Sequence, residues 1–192
     1  MSEEVIRKVD ALAYLPADEL QRTLPATIEE IRTFGAGRLL KTRPDALATI
    51  IIALLATGAA KVLTTTPAAA DALMDALWNG VEARAADLPD LTAALKKVDR
   101  EIQVNIEASD SPLTGHFHIQ NTGITGGAGL VHFRDQDYRY MGTTEILLQL
   151  LLGELPMGTS NLQLQTAGHS GFASRVGPVL RGITTLIKGV KS

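Results

Sequence analysis

Two hydrophobic periods divide the sequence. Up to about residue 97, apolar positions recur every three to four residues, the spacing that places them on one face of an α-helix. Leu20, Leu24, Ile28 and Ile31 form one such stripe, and Leu73, Leu77, Val81 and Ala85 another. Pro16, Pro25, Pro44, Pro67 and Pro89 punctuate this half; proline removes a backbone donor and clashes with the preceding turn, so about four or five separate helices are expected. Asp45 after Pro44, and Pro67 after the Thr64-Thr65-Thr66 run, read as helix starts.

Beyond Asp99 the period becomes two. Ile102, Val104 and Ile106 alternate with Gln103, Asn105 and Glu107; Phe117 and Ile119 with His116, His118 and Gln120; Val131 and Phe133 with His132 and Arg134. Alternation of this kind predicts half-buried strands. Turn residues at Ser109-Asp110-Ser111-Pro112 and from Asn121 to Gly129 separate them as an antiparallel meander. Tyr138-Arg139-Tyr140 reads as a fourth strand and Leu162-Gln163-Leu164-Gln165 as a fifth. Between these two lies a helix from Glu145 to Leu152, capped by Thr143 or Thr144 and ended by Gly153 and Pro156. Ile146, Leu147, Leu148, Leu150, Leu151 and Leu152 make it apolar nearly all round. Such a helix has no wet face, so it is either enclosed by the rest of the protein or in contact with an apolar ligand.

The expected fold class is α+β: a helical bundle over residues 1–92, then a mixed sheet of about five strands with short helices over 93–192. In the order of these elements, residues from about 95 to 190 resemble the sterol carrier protein 2 family. The stretch Asp137-Tyr138-Arg139-Tyr140-Met141-Gly142-Thr143-Thr144-Glu145-Ile146-Leu147-Leu148-Gln149-Leu150-Leu151-Leu152-Gly153-Glu154-Leu155-Pro156 resembles that family's strand, short helix and Gly-Lys/Glu-Leu turn. Asn161 to Gly168 and a helix beginning near Phe172 follow in the same order. The chain departs from the family in having neutral Gln163 and Gln165 and then Gly168-His169, where a basic strand followed by Gly-Asp is common, and in placing Pro178 inside the closing helix. The resemblance implies a sheet with helices on one face and an apolar tunnel for a fatty acyl chain, sterol or isoprenoid. The lining expected of such a tunnel is Phe133, Tyr140, Ile146, Leu150, Leu151, Met157, Leu164, Phe172, Val176 and Leu180.

Composition narrows the functional classes. Hydrophobic residues make up 45% of the 192 and charged residues 20%, which excludes a disordered chain. A net charge of −3 with 4% aromatic residues argues against nucleic acid as a partner. There is no cysteine, so thiolate metal sites and cysteine nucleophiles are excluded, and with an acidic start at Glu3-Glu4 and no peroxisomal address at the C-terminus the expected location is cytoplasmic. The uncharged run from Ala46 to Ala60 would span only about 22 Å as a helix, short for a bilayer, and is expected as a core helix.

Candidate chemistry is sparse. Gly168-His169-Ser170-Gly171-Phe172 lacks the second glycine of a hydrolase nucleophile elbow, because Phe172 stands in its place. The glycines at 123, 126, 127 and 129 lie between strands, so no helix N-terminus is there to receive phosphate and a hairpin turn is expected. No catalytic group and no cofactor are expected. Three readings stay open: a non-catalytic carrier of an apolar ligand, an accessory or scaffold protein that binds a partner through its helical half, and an imidazole metal site built from His116, His118 and His132. Four basic and no acidic side chains follow Glu154, whereas residues 1–154 carry fourteen basic and twenty-one acidic ones, a balance of −7. With Leu180, Ile183, Leu186, Ile187 and Val190 as an apolar stripe, Arg181, Lys188 and Lys191 are expected to dock the closing helix on anionic membranes.

Overall fold

The computed structural model describes residues 2–155 and 163–189. It is an α+β structure whose elements follow the two periods of the sequence. The helical half holds α1 (Ser2–Leu12), α2 (Ala17–Phe34), α3 (Ala36–Thr42), α4 (Ala46–Thr57), α5 (Ala59–Thr65), α6 (Pro67–Arg84) and α7 (Pro89–Leu95), with a 3-10 turn at Ala85–Asp87. Seven helices thus stand where four or five were expected. Two of the extra breaks are glycines at positive φ, Gly35 at 95° and Gly58 at 78°, a backbone region that side-chain-bearing residues avoid. Gly58 cuts the uncharged run into α4 and α5, bent 94° to each other. Among the described residues no single helix is long and apolar enough to cross a membrane.

Pro25 does not break its helix. It lies inside α2, where the stripe Leu20, Leu24, Ile28 and Ile31 is buried and holds the turn on both sides of it. Asp45 precedes α4 but does not cap it with its side chain; its carboxylate instead accepts two bonds from Arg43 Nη1 at 2.6 and 2.8 Å.

The sheet comprises β1 (Ile102–Ala108), β2 (Thr114–Gln120), β3 (Gly123–Ala128), β4 (Tyr138–Gly142) and β5 (Gln165–Gly168), in the order β3-β2-β1-β4-β5. All neighbours are antiparallel except β1 and β4, which are parallel. The helix α8 (Thr144–Leu152) follows β4 directly, and α9 (Ser170–Ile187) closes the chain with Pro178 inside it.

The third strand is not where the alternation put it. Val131 and Phe133 lie in a loop, and the glycine-rich segment expected as a turn forms β3. The reason sits in α6, more than forty residues earlier. A Cβ on Gly126 would lie 2.8 Å from Trp78 Cγ, and one on Gly115 2.1 Å from Met74 Cε. The absence of side chains lets α6 press directly onto β2 and β3, so the glycines serve close approach rather than a turn. Trp78 then stacks on Phe117 with ring centroids 4.6 Å apart, and both rings are fully buried. Asp75 of α6 accepts the Ala128 amide at 2.9 Å, covering part of the edge strand. One hydrophobic cluster joins the helical half to the sheet, from Val5 to Ile187.

Candidate functional site

The segment from β4 to α9 carries the most distinctive apolar surface. Helix α8 forms because both ends are specified locally. Thr143 Oγ1 accepts the Ile146 amide, Glu145 lies in the first turn, and Gly153 takes the left-handed conformation at φ 64°. A further anchor comes from the turn after β1: Asp110 Oδ1 accepts both the amide and the hydroxyl of Thr144, each at 2.7 Å. That contact is absent from the periodicity, since it joins two turns distant in sequence.

Leu147, Leu148, Leu150, Leu151 and Leu152 are all buried. They pack between β1 and β4 on the sheet side, α9 alongside, and α4 and α5 on the outer side. Of the expected lining, Tyr140, Leu150, Leu151, Leu164, Val176 and Leu180 are buried in this one cluster, while Ile146 and Phe172 are half-buried against it. Phe172 also meets the Arg100 guanidinium, 4.4 Å from its ring centroid. The Tyr140 phenol is held well above its ordinary range by burial, reinforced by electrostatic repulsion from the neighbouring Tyr138 phenol; the two ring centroids are 5.2 Å apart. Met157 lies outside the described residues.

Phe133 does not join this group. It sits 67% exposed on the loop between β3 and β4, outside the strand face assigned to it.

Among the described residues the helical layer stops at β4. Register places Tyr138 opposite Gly168 and Tyr140 opposite Thr166, so the four share one face of the sheet. The tyrosines are buried, yet Thr166 and Gly168 are exposed, as is all of β5. Around this margin the apolar interior reaches the surface through Ile146, Leu155 and Phe172, each half-buried.

The opposite face of the sheet is polar. Asn105 is 2% exposed there and fully engaged: its amide nitrogen donates to the Val131 carbonyl and to Gln136 Oε1, and its oxygen accepts the Val131 amide. Glu107 pairs with Arg139. The histidines of the alternative imidazole metal site are dispersed. His116 Nδ1 meets the Gly129 carbonyl at 3.0 Å, His118 Nε2 stands 3.2 Å from Glu101, and His132 caps a turn of the exposed loop. Among the described residues no three His, Asp or Glu side chains come together to hold a metal ion.

The basic helix α9 uses its apolar stripe internally. Leu180, Ile183, Leu186 and Ile187 are all buried, and Gly182 lies tight against Leu91 of α7. The stripe is therefore not available to a membrane in this fold; Arg181 and Lys188 remain exposed, and Val190 and Lys191 lie outside the described residues.

The architecture so defined is an α+β fold with a helical layer on one face of a mixed five-stranded sheet. No protein-family model matches the chain, and no curated protein matches it. Solved structures similar to it include a conserved hypothetical protein of Thermus thermophilus, described as possibly a sterol carrier protein, with a TM-score of 0.41 and 8% identity over 60% of this chain and 85% of that one. Sterol carrier protein 2 from Yarrowia lipolytica, in its apo form, has a TM-score of 0.39 and 15% identity over 67% of this chain and 94% of that one. The stereoselective inverting sec-alkylsulfatase of a Pseudomonas species has a TM-score of 0.39 and 14% identity; the match covers 78% of this chain and 32% of the enzyme.

Proposed function

We propose that this chain binds an apolar ligand, a fatty acyl chain, sterol or isoprenoid quinone, between α8, α9 and the β4–β5 margin of the sheet, and carries or presents it without chemical change. The observation that carries the proposal is the margin itself: the buried face of Tyr138 and Tyr140 continues onto exposed Thr166 and Gly168, with no described helix above them. Tyr140, Ile146, Leu150, Leu151, Leu164, Phe172, Val176 and Leu180 supply the contacts.

The energetics require little else. Each methylene removed from water contributes about 0.8 kcal/mol, so a dozen supply roughly 10 kcal/mol before association costs. An apolar site of this kind needs few polar groups, in keeping with the absence of charged residues from α8 beyond Glu145.

A second reading has its own observation. In the helical half Tyr14 is 87% and Ile52 55% exposed, and a cleft at the end of Ile52's helix is lined by Leu55, Gly58, Ala59, Ala60 and Lys61 on the helical side and by Asp110, Thr143 and Glu145 on the other. These surfaces suit an accessory protein that binds a partner through its helices.

Native mass spectrometry of the gently purified chain separates the two. A mass increment from a co-purified lipid, or uptake of an added fatty acid, sterol or quinone, is expected. A ligand-free chain that takes up none of the three overturns the carrier reading and leaves the partner-binding one.

A further inference from the structure

Two phenols stand among the apolar side chains of β4, and both are nearly buried, Tyr138 at 7% exposure and Tyr140 at 4%. Their rings meet edge to face, with their planes 67° apart. The Tyr138 ring also rests directly on β5, since a Cβ on Gly168 would lie 2.6 Å from its Cδ2. Tyr140 is thus held against a neighbour that cannot swing away, and its hydroxyl has a fixed place at the margin of the sheet.

A buried phenol ordinarily finds a hydrogen-bond partner, because a dry, unpaired O–H forfeits the bonds it made to water. Burial and the Tyr138 phenol act on the Tyr140 hydroxyl, but among the described residues no hydrogen bond and no charged side chain does. The cations of the flanking segments are committed elsewhere: Arg100 pairs with Asp137, Arg175 of α9 with Asp99, and Arg139 with Glu107 on the opposite face of the sheet. Arg181 and Lys188 lie about 16 Å or more along α9 from its first residue. His169 accepts the Gly171 amide through Nδ1. The charges of α8 and the turn after it, Glu145 and Glu154, are acidic.

We propose that the apolar ligand of this site carries a neutral oxygen, an alcohol hydroxyl, an ester carbonyl or a quinone carbonyl, to which the Tyr140 hydroxyl donates. This rests on the carrier reading and narrows its ligand class. A neutral oxygen accepts the phenol's proton without bringing a charge into the apolar site, and supplies the partner that the described residues do not. A carboxylate can accept the same bond, but it must leave water with no described cation to face, which costs far more than one hydrogen bond returns. Neutral oxygenated lipids are therefore favoured over free fatty acids, and Tyr140 sets the preference.

The test uses the full chain and four probes of equal chain length, 1-decanol, methyl decanoate, decanoate and 1-chlorodecane, each competed against Nile red at neutral pH, where decanoate is ionised. 1-Decanol and methyl decanoate are expected to bind about tenfold or more tightly than decanoate. Tyr140→Phe should weaken both about fivefold and leave 1-chlorodecane unchanged, because only the hydrogen bond is lost. Its melting temperature at neutral pH should stay near that of the wild type. Decanoate binding as tightly as 1-decanol overturns the proposal, as does a Tyr140→Phe change that leaves the two oxygenated neutral probes unaffected. A change that weakens all four probes together overturns it in favour of a structural phenol. In each of these outcomes the probes still bind the wild type, so the carrier reading stands; uptake of none of the four overturns both. The preference of the wild type is read without any substitution and decides the matter should the variant be unstable.

Discussion

The helical layer meets the two ends of the sheet by opposite means. Over β2 and β3 the strands give up their side chains: Gly115 and Gly126 let α6 approach until Met74 and Trp78 fill the space. Over β4 the strand keeps two tyrosines and is covered by the leucines of α8, and the described cover ends before β5. A helix pressed onto glycines leaves no room to share, whereas at β4 the contact is made by bulky side chains and the described cover stops before β5. The ligand site is proposed at the β4–β5 end because the β2–β3 end is closed by this direct packing.

Removal of the closed end's plug should have the largest effect. Trp78→Ala deletes a fully buried ring stacked on Phe117 and should destabilise by about 3–5 kcal/mol in denaturant titration. A loss well below about 1 kcal/mol would mean that the α6 contact is not tight.

The glycines give a finer comparison. An added Cβ at Gly126 meets the His116 carbonyl at 2.5 Å and the Trp78 ring at 2.8 Å, neither of which can move freely; at Gly115 it meets chiefly the flexible end of Met74. Gly126→Ala should therefore cost about 1–3 kcal/mol and Gly115→Ala less. The reverse order of melting temperatures would break the close-packing account.

At the open end the expected stability effect depends on pH. The folded-state pKa of Tyr140 is raised because burial disfavours the phenolate. The unfolded chain thus releases this proton first, and stability falls as pH rises beyond the ordinary phenol value of about 10 towards the raised folded value. Tyr140→Phe should melt with a smaller alkaline decline than the wild type between roughly pH 10 and 11. Equal declines would show that the phenol is not desolvated.

The legible parts of the fold are those written locally. The Thr143 cap, the leucine run and Gly153 lie within eleven residues, so α8 is found almost to the residue. The alternation of β1 and β2 is equally local, and their burial follows it. β3 was illegible because its glycines answer to Trp78 and Met74 in a different element. The Val131–Phe133 alternation misled for a related reason: Asn105 captures Val131 by its backbone, and the rhythm then signals no strand face. The α9 stripe was visible, but whether it faces a membrane or α7 depends on packing that periodicity does not contain. The α8 leucines were legible as an apolar set and are buried, while the exposed face of β5 emerged only from strand register.

The central proposal is that an apolar ligand binds beside α8, and Leu150, 4% exposed, tests it most directly. Binding of a fluorescent fatty acid is measured alongside the melting temperature for the wild type and Leu150→Trp. The account predicts that the larger ring occupies ligand space, reducing binding while the melting temperature holds. A lowered melting temperature, by a loss of about 1–3 kcal/mol, with fatty-acid binding unchanged would show a filled core and contradict it.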